Sequence, residues 1–205
     1  MTTLPDTLVL ASNNRGKIKE IQALLSGFQI RPQADFGVTE AEEPASTFVE
    51  NALLKARHAA RHCGLPTIAD DSGLIVDALH GAPGVISARY AGAGASYQDN
   101  MDKLLYALAG VAETQRTARF VCVMVYLAHA DDPCPLIAQG EWQGQILPHC
   151  QGGNGFGYDP VFWLPNLACT AAELSAELKN TLSHRGQALR QLVAALLHKQ
   201  TQPSH

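Results

Sequence analysis

Two adjacent carboxylates, Asp70 and Asp71, followed directly by Ser72 and Gly73, are the residues of this chain best placed to do chemistry. The apolar run before them, residues 65–69, is entered through Pro66 and predicts a short strand, so the aspartates fall where strand gives way to loop. In an α/β protein that end of a strand faces the ligand crevice. Neighbouring side chains on an extended backbone point to opposite sides, so only one of the two aspartates can easily face a given ligand. Such a carboxylate can hold a divalent cation beside phosphates or act as a base toward water. The same residues also suit a plain Asp-Ser-Gly turn that caps the next segment.

Three further stretches carry polar groups in chemically useful company. Ser12, Asn13, Asn14, Arg15, Gly16 and Lys17 follow a continuous apolar run at 7–11 and precede Ile18, Ile21, Leu24 and Leu25 at helical spacing. A loop opening into a helix N-terminus offers unpaired N–H groups and two cationic side chains, a setting suited to phosphate. It lacks the Walker spacing, and Asn13 or Asn14 capping the helix while Arg15 and Lys17 meet solvent is the competing reading. The acidic run 40–44, with Glu42 and Glu43, reads by itself as a solvated loop. Thr47 and Glu50 then form a capping-box pattern for a helix to about residue 63, on which Asn51, Lys55, His58 and His62 share one face. Lys55 can neutralise phosphate near Asp71. The histidine pair invites a metal reading, but with no third ligand at suitable spacing it reads as structural or surface.

The third stretch, residues 152–160, interleaves glycines with Asn154, Phe156, Tyr158 and Asp159. Glycines let a backbone approach a ligand closely. Phe156 can stack on a planar base and Asp159 can accept from a ring N–H. Beyond it lie Lys179, His184 and Arg185; the last two stand in the first turn of a predicted helix, where cations oppose the helix dipole. Arg89, in a Gly/Ala-rich loop, suits either a substrate phosphate or a carboxylate that locks the loop.

The elements that must position these groups alternate in type. A strand at 7–11, a weak strand and loop at 30–38, a buried-looking stretch at 74–79, a helix at 99–108, a strand at 118–127 and, over 136–138 and 140–144, another strand and turn that form an antiparallel hairpin with it are expected. A short helix at 171–179 and a last helix, capped by Ser183 and burying Leu189, Leu192, Val193 and Leu196, complete the chain, with 199–205 as a flexible tail. Together they predict a single α/β domain on residues 1–205, a mixed β-sheet with flanking helices and two closely joined lobes.

Composition excludes several classes. With 15 basic against 19 acidic residues and no basic run, broad nucleic-acid binding is disfavoured. Five cysteines without a C-x-x-C pair fit free thiols in a reducing compartment rather than a zinc site. The first residues lack a signal-peptide pattern, and no apolar run approaches the length of a membrane span.

Taken together, Ser12 to Lys17, Thr47 to Ala52 with Lys55 and Ala56, Ala69 to Leu74, Ser87 to Tyr90, Phe156 to Pro160 and Ser183 to Gly186 resemble, in order, the motifs of the non-canonical purine nucleoside triphosphate pyrophosphatases, the Ham1 or inosine triphosphatase family. The resemblance covers about residues 7–198 and implies an elongated mixed-sheet fold with a nucleotide cleft between two lobes. It implies a cytoplasmic, homodimeric hydrolase that uses one or more Mg2+ ions and converts dITP, ITP, XTP and dXTP to the nucleoside monophosphate and pyrophosphate. Residue by residue, it places triphosphate contacts on Ser12, Asn13, Asn14, Arg15, Gly16 and Lys17, with Lys55 as a further phosphate-facing cation. Glu43 takes the place of a metal carboxylate and Asp71 that of metal ligand and proton acceptor; Asp70 supports the loop. Ser72 matches a substrate contact, and Phe156, Gly157, Tyr158, Asp159, Lys179, His184 and Arg185 match the base side, where a donor such as Arg185 would favour a purine six-position oxygen over an amino group. A nucleotide sensor without turnover and a broader nucleotide phosphohydrolase are the competing functions.

Overall fold

The computed structural model describes residues 7–25 and 28–201. Its sheet is built from β1 (Thr7–Leu10), β2 (Gln29–Pro32), β3 (Thr67–Val76), β4 (Thr117–Leu127), β5 (Leu136–Ile146), β6 (Phe162–Leu164) and β7 (Cys169–Thr170). The strand order is β2-β1-β3-β4-β5-β6-β7. Parallel pairing of β1 with β2 and β3, and antiparallel pairing of β6 with β5 and β7, make the sheet mixed. The helices are α1 (Arg15–Leu24), α2 (Phe48–Cys63), α3 (Tyr97–Ala107), α4 (Ala176–Leu182) and α5 (His184–Thr201). The chain divides into two compact units. The first comprises the residues up to Asp71, Cys122–Gly140 and those from Arg185 onward; the second comprises Ser72–Val121 and Glu141–His184.

In the first unit the strands are covered on both faces, and the two-residue period of β4 sorts its side chains between them. Cys122, Met124 and Tyr126 join Ile21 and Leu25 near α1 and Leu189, Leu192 and Leu196 of α5. Val123, Val125 and Leu127 join Ala52, Ala56 and Ala59 of α2. The small alanines let α2 lie close to the sheet. It starts on Thr47, whose side chain accepts from Glu50 N–H, and stops at Gly64, whose φ of 66° provides the left-handed cap. In the second unit Phe162 is fully buried and central, with Phe120 at 4.5 Å and Trp142 at 5.5 Å between ring centroids. Edge-tilted rings at these separations pack favourably.

Several boundaries differ from those expected. β3 does not stop at Asp70: it runs through Asp70, Asp71, Ser72 and Gly73 to Val76, and the predicted stretch at 74–79 is its second half plus a 3-10 turn at Asp77–Leu79. β1 pairs β3 only at Thr67 and Ile68, so beyond them the residues of low strand preference are carried with β4 as the neighbour in the sheet. β5 likewise runs unbroken through Gly140 and Gly144. Gly144 marks a close approach: a Cβ there would stand 2.5 Å from Trp163 O and 2.6 Å from the Phe162 ring. The region 30–38 is strand only to Pro32, followed by a 3-10 turn at Gln33–Phe36. The expected helix at 171–179 is a 3-10 turn, Ala171–Glu173, and then α4. Of the expected tail, residues up to Thr201 are helical and 202–205 lie outside the described residues, as do residues 1–6.

This packing makes Gly144 a stability determinant. Gly144→Ala should lower the urea midpoint by the equivalent of about 1–3 kcal/mol, the usual range for overpacking. Gly153→Ala, where nothing lies within 4 Å of a new Cβ, should leave the midpoint within about 0.5 kcal/mol of the parent.

Candidate active site

Because β3 is extended at the two aspartates, their carboxylates enter different surroundings. Asp70 meets cations from α1 and α5: Lys17 Nζ at 2.9 Å and Arg185 Nε at 3.6 Å. Its side chain is fully buried. Burial alone would raise its proton affinity, but Lys17, Arg185 and Lys55 outweigh that and hold Asp70 far below the ordinary carboxylate range. Asp71 meets α2, where Lys55 Nζ lies 3.0 Å from Oδ1 and Asn51 Nδ2 donates to Oδ2 at 3.3 Å. Here burial prevails, reinforced by Glu43, and the cations Lys55 and Lys17 only partly offset it, so Asp71 is raised. Adjacent carboxylates are thus pushed in opposite directions, the pattern that separates a permanent anion from a proton acceptor.

The acidic loop reaches the same place. Lys55 Nζ lies 2.7 Å from Glu43 Oε1 as well as 3.0 Å from Asp71 Oδ1. Burial pulls Lys55 down, yet Asp71, Asp70 and Glu43 together leave it raised and charged. Glu42 is exposed, which separates it from its half-buried neighbour. Among the described residues no group of three or more His, Cys, Asp or Glu side chains gathers as a metal site. Two carboxylates converging on one cation nonetheless suit magnesium, which keeps waters and takes phosphate oxygens for much of its coordination.

The loop before α1 takes the capped form. Asn14 Oδ1 accepts from Gly16 and Lys17 N–H at 3.0 and 3.2 Å, and Ser12 Oγ accepts from Asn14 N–H at 3.2 Å. Asn13 and Arg15 are exposed. Ser72, half-buried, is the first residue of the second unit. Arg185, expected with the base-side residues, belongs to the first unit, where Glu20 and Asp70 draw its buried guanidinium and hold it strongly protonated despite the desolvation. Glu20 was not singled out from sequence; its place three residues after Lys17, on the same face of α1, was the available signal.

The second unit gathers the rest. Asp159 Oδ2 accepts from Phe156 N–H at 2.8 Å and from Lys179 Nζ at 2.6 Å, and that ammonium lies 4.8 Å from the centroid of the Phe156 ring. Carboxylate, cation and aromatic face therefore form one built group. Gly155 permits it: its φ is 78°, and a Cβ there would strike Asp159 Oδ2 at 2.1 Å. Gly157, at φ 64°, completes the turn. Tyr158 is buried and donates to Ser87 O at 2.8 Å, a supporting position. His184 is buried and stacks on Phe120, with centroids 4.8 Å apart. Tyr97, also not anticipated, stands 6.0 Å from Phe156. His58 and His62 meet the backbone oxygens of Thr39 and His58, at 3.0 and 2.8 Å, the structural role expected of them.

The chain resembles known proteins over nearly its whole length. The Ham1 family model matches residues 8–195. A dITP/XTP pyrophosphatase of Thioalkalivibrio sulfidiphilus is 59% identical over 191 residues, covering 92% of this chain and 97% of the relative. That of Vibrio cholerae is 55% identical over 196 residues, covering 95% and 98%. Among solved structures, a HAM1 protein from Coxiella burnetii superposes with a TM-score of 0.86 at 49% identity, covering 94% of this chain and 98% of the other. The Ham1 protein of Staphylococcus aureus gives 0.84 at 41%, covering 94% and 99%. With nearly its whole length matched by the family model and by these relatives, the chain belongs to the Ham1 family.

Proposed function

We propose that this chain is a nucleoside triphosphate pyrophosphatase that hydrolyses dITP, ITP, XTP and dXTP at the α–β phosphate bond, releasing the nucleoside monophosphate and pyrophosphate. The observation that carries the reading is the meeting of Glu43 and Asp71 on Lys55, beside an aspartate kept permanently charged. Family membership and the dITP/XTP pyrophosphatases among its relatives support the substrate class. Clearing such nucleotides keeps them out of DNA and RNA.

The first unit handles the triphosphate. The loop Ser12 to Lys17 offers backbone N–H groups and cations to phosphate oxygens. Asp71, whose burial favours the protonated form, takes a proton from the attacking water as the α–β bond breaks. Lys17 and Lys55 stabilise charge on the departing pyrophosphate, an electrostatic and positioning role. Glu43 and Asp71 would hold magnesium, which supplies charge neutralisation and alignment of the phosphates when bound. The second unit handles the purine: Phe156 offers a stacking face, while Lys179 and the backbone around Gly157 offer donors suited to a six-position oxygen. Asp159 holds that group in place, and His184 stacks on Phe120 in the same unit. The family resemblance supports a homodimer, and five free cysteines support a reducing, cytoplasmic setting. No helix among the described residues is long and apolar enough to cross a membrane.

Incubation with ITP and magnesium should yield IMP and pyrophosphate; IDP with orthophosphate would overturn the cleavage site, and tight binding without turnover would identify a sensor. The two aspartates should separate cleanly. Asp71→Asn should keep its fold while losing about a hundredfold or more in kcat. Asp70→Asn removes the buried anion that Lys17 and Arg185 share, leaving Glu20 to Arg185, and should cost about 3–5 kcal/mol of stability in denaturant titrations. Base and phosphate recognition should separate as well. Lys17→Ala should lower kcat/KM for ITP, XTP and GTP by one common factor, whereas Lys179→Met should shift the ITP to ATP ratio of kcat/KM by the equivalent of about 1–3 kcal/mol.

A further inference from the structure

The acidic loop before α2 has little regular structure, yet it must bring Glu43 to Asp71. Three side chains on one face of α2 meet it at three points. His58 Nε2 donates to Thr39 O at 3.0 Å. Lys55 Nζ meets Glu43 at 2.7 Å. Asn51 Oδ1 accepts from Ala45 N–H at 3.0 Å while Asn51 Nδ2 donates to Ala45 O at 3.3 Å. Helix positions 51, 55 and 58, spaced by four and three, thus take loop positions 45, 43 and 39, so the loop runs back along the helix. Asn51 does more than fasten the loop. Fully buried, it also donates to Asp71 Oδ2 at 3.3 Å, so one amide is shared by the loop that carries Glu43 and the strand that carries Asp71.

We propose that Asn51 and His58, flanking Lys55, form a clasp along α2 that positions the acidic loop, making both of them positioning residues for the Glu43 and Asp71 pair. A loop otherwise free to move would have to be ordered each time a cation is bound, and the clasp removes that cost beforehand. Outer partners of this kind commonly change metal affinity by about 10–100-fold when removed. His58 is the more diagnostic of the two, because it touches neither carboxylate and reaches the site only through the loop. The inference rests on the reading of Glu43 and Asp71 as the cation-holding pair.

The test uses the full chain in four variants: Asn51→Ser, His58→Ala, His58→Gln and His62→Ala. Hydrogen–deuterium exchange over residues 39–46 is measured without metal or nucleotide, Mn2+ binding by counting the free ion spectroscopically, and the magnesium requirement in ITP hydrolysis. Asn51→Ser and His58→Ala should both speed exchange in the loop, weaken Mn2+ and raise the half-maximal magnesium concentration by about tenfold. For His58→Ala, kcat at saturating magnesium should stay within about threefold of the parent, since no group of the pair is lost. His58→Gln, whose amide can still donate to Thr39 O, should restore the parent values. His62→Ala, which removes a ring 4.4 Å from that of His58 and a bond to His58 O, should match the parent, because the bond from His58 to Thr39 O is kept. Faster exchange with unchanged Mn2+ affinity and magnesium requirement would overturn the proposal. So would a parent chain that leaves all Mn2+ free. A parent that binds Mn2+ but does not hydrolyse ITP would overturn the proposed activity alone, because the exchange and Mn2+ measurements read the clasp without turnover.

Discussion

A carboxylate with no exposed surface is stable only where positive charge surrounds it, and Asp70 imposes that condition on the first unit. Lys17 comes from the start of α1 and Arg185 from the start of α5, so a buried anion on the strand fixes where two helices begin. Glu20 then answers the second cation from one turn further along α1. Two cations and two anions form a neutral group in which each helix is held by charge as well as by the apolar packing around Ile21, Leu189 and Leu192. The cationic first turn of α5, unfavourable toward its own helix dipole, is explained by the anion it faces.

That arrangement leaves Asp71 free of the same demand. Facing α2 instead, it shares one lysine with Glu43 and retains a proton affinity above that of an ordinary aspartate, the property a base needs. The neighbours therefore divide the work through the pleat of a strand. A one-residue slip of β3 would exchange their faces and place the permanently charged residue against α2. The proposed division of roles thus requires continuous strand through the pair, and the strand prevails over the turn-forming character of Ser72 and Gly73.

The sequence made much of this visible, because hydrophobic period and capping chemistry are local. The face of α5, the Thr47 start of α2 and the strand character of β4 follow from short-range pattern. The opposed faces of Asp70 and Asp71 followed from strand geometry alone. What was hidden depended on neighbours remote in the chain. Strand continuity through Gly73 and Gly144 comes from pairing partners, and Glu43 acquires meaning only when Lys55 meets it. Arg185 could be matched to a motif, but which buried anion would claim it was decided in three dimensions, by Glu20 and Asp70. Asn51 was legible as one more polar residue on a helix face, while its bonds to Ala45 and Asp71 were not.

The buried pair of Lys179 and Asp159 bears on how the second unit responds to warming. Hydration of charged groups becomes less favourable as temperature rises, so the penalty for keeping this pair dry declines, whereas the apolar contribution around Phe162 levels off. Heat therefore shifts the balance of forces in that unit toward the ion pair. The backbone of Phe156, bound to the same carboxylate oxygen, is held by the interaction that weakens least. An aromatic platform anchored in this way keeps its place at temperatures where one seated by apolar contact alone would begin to loosen.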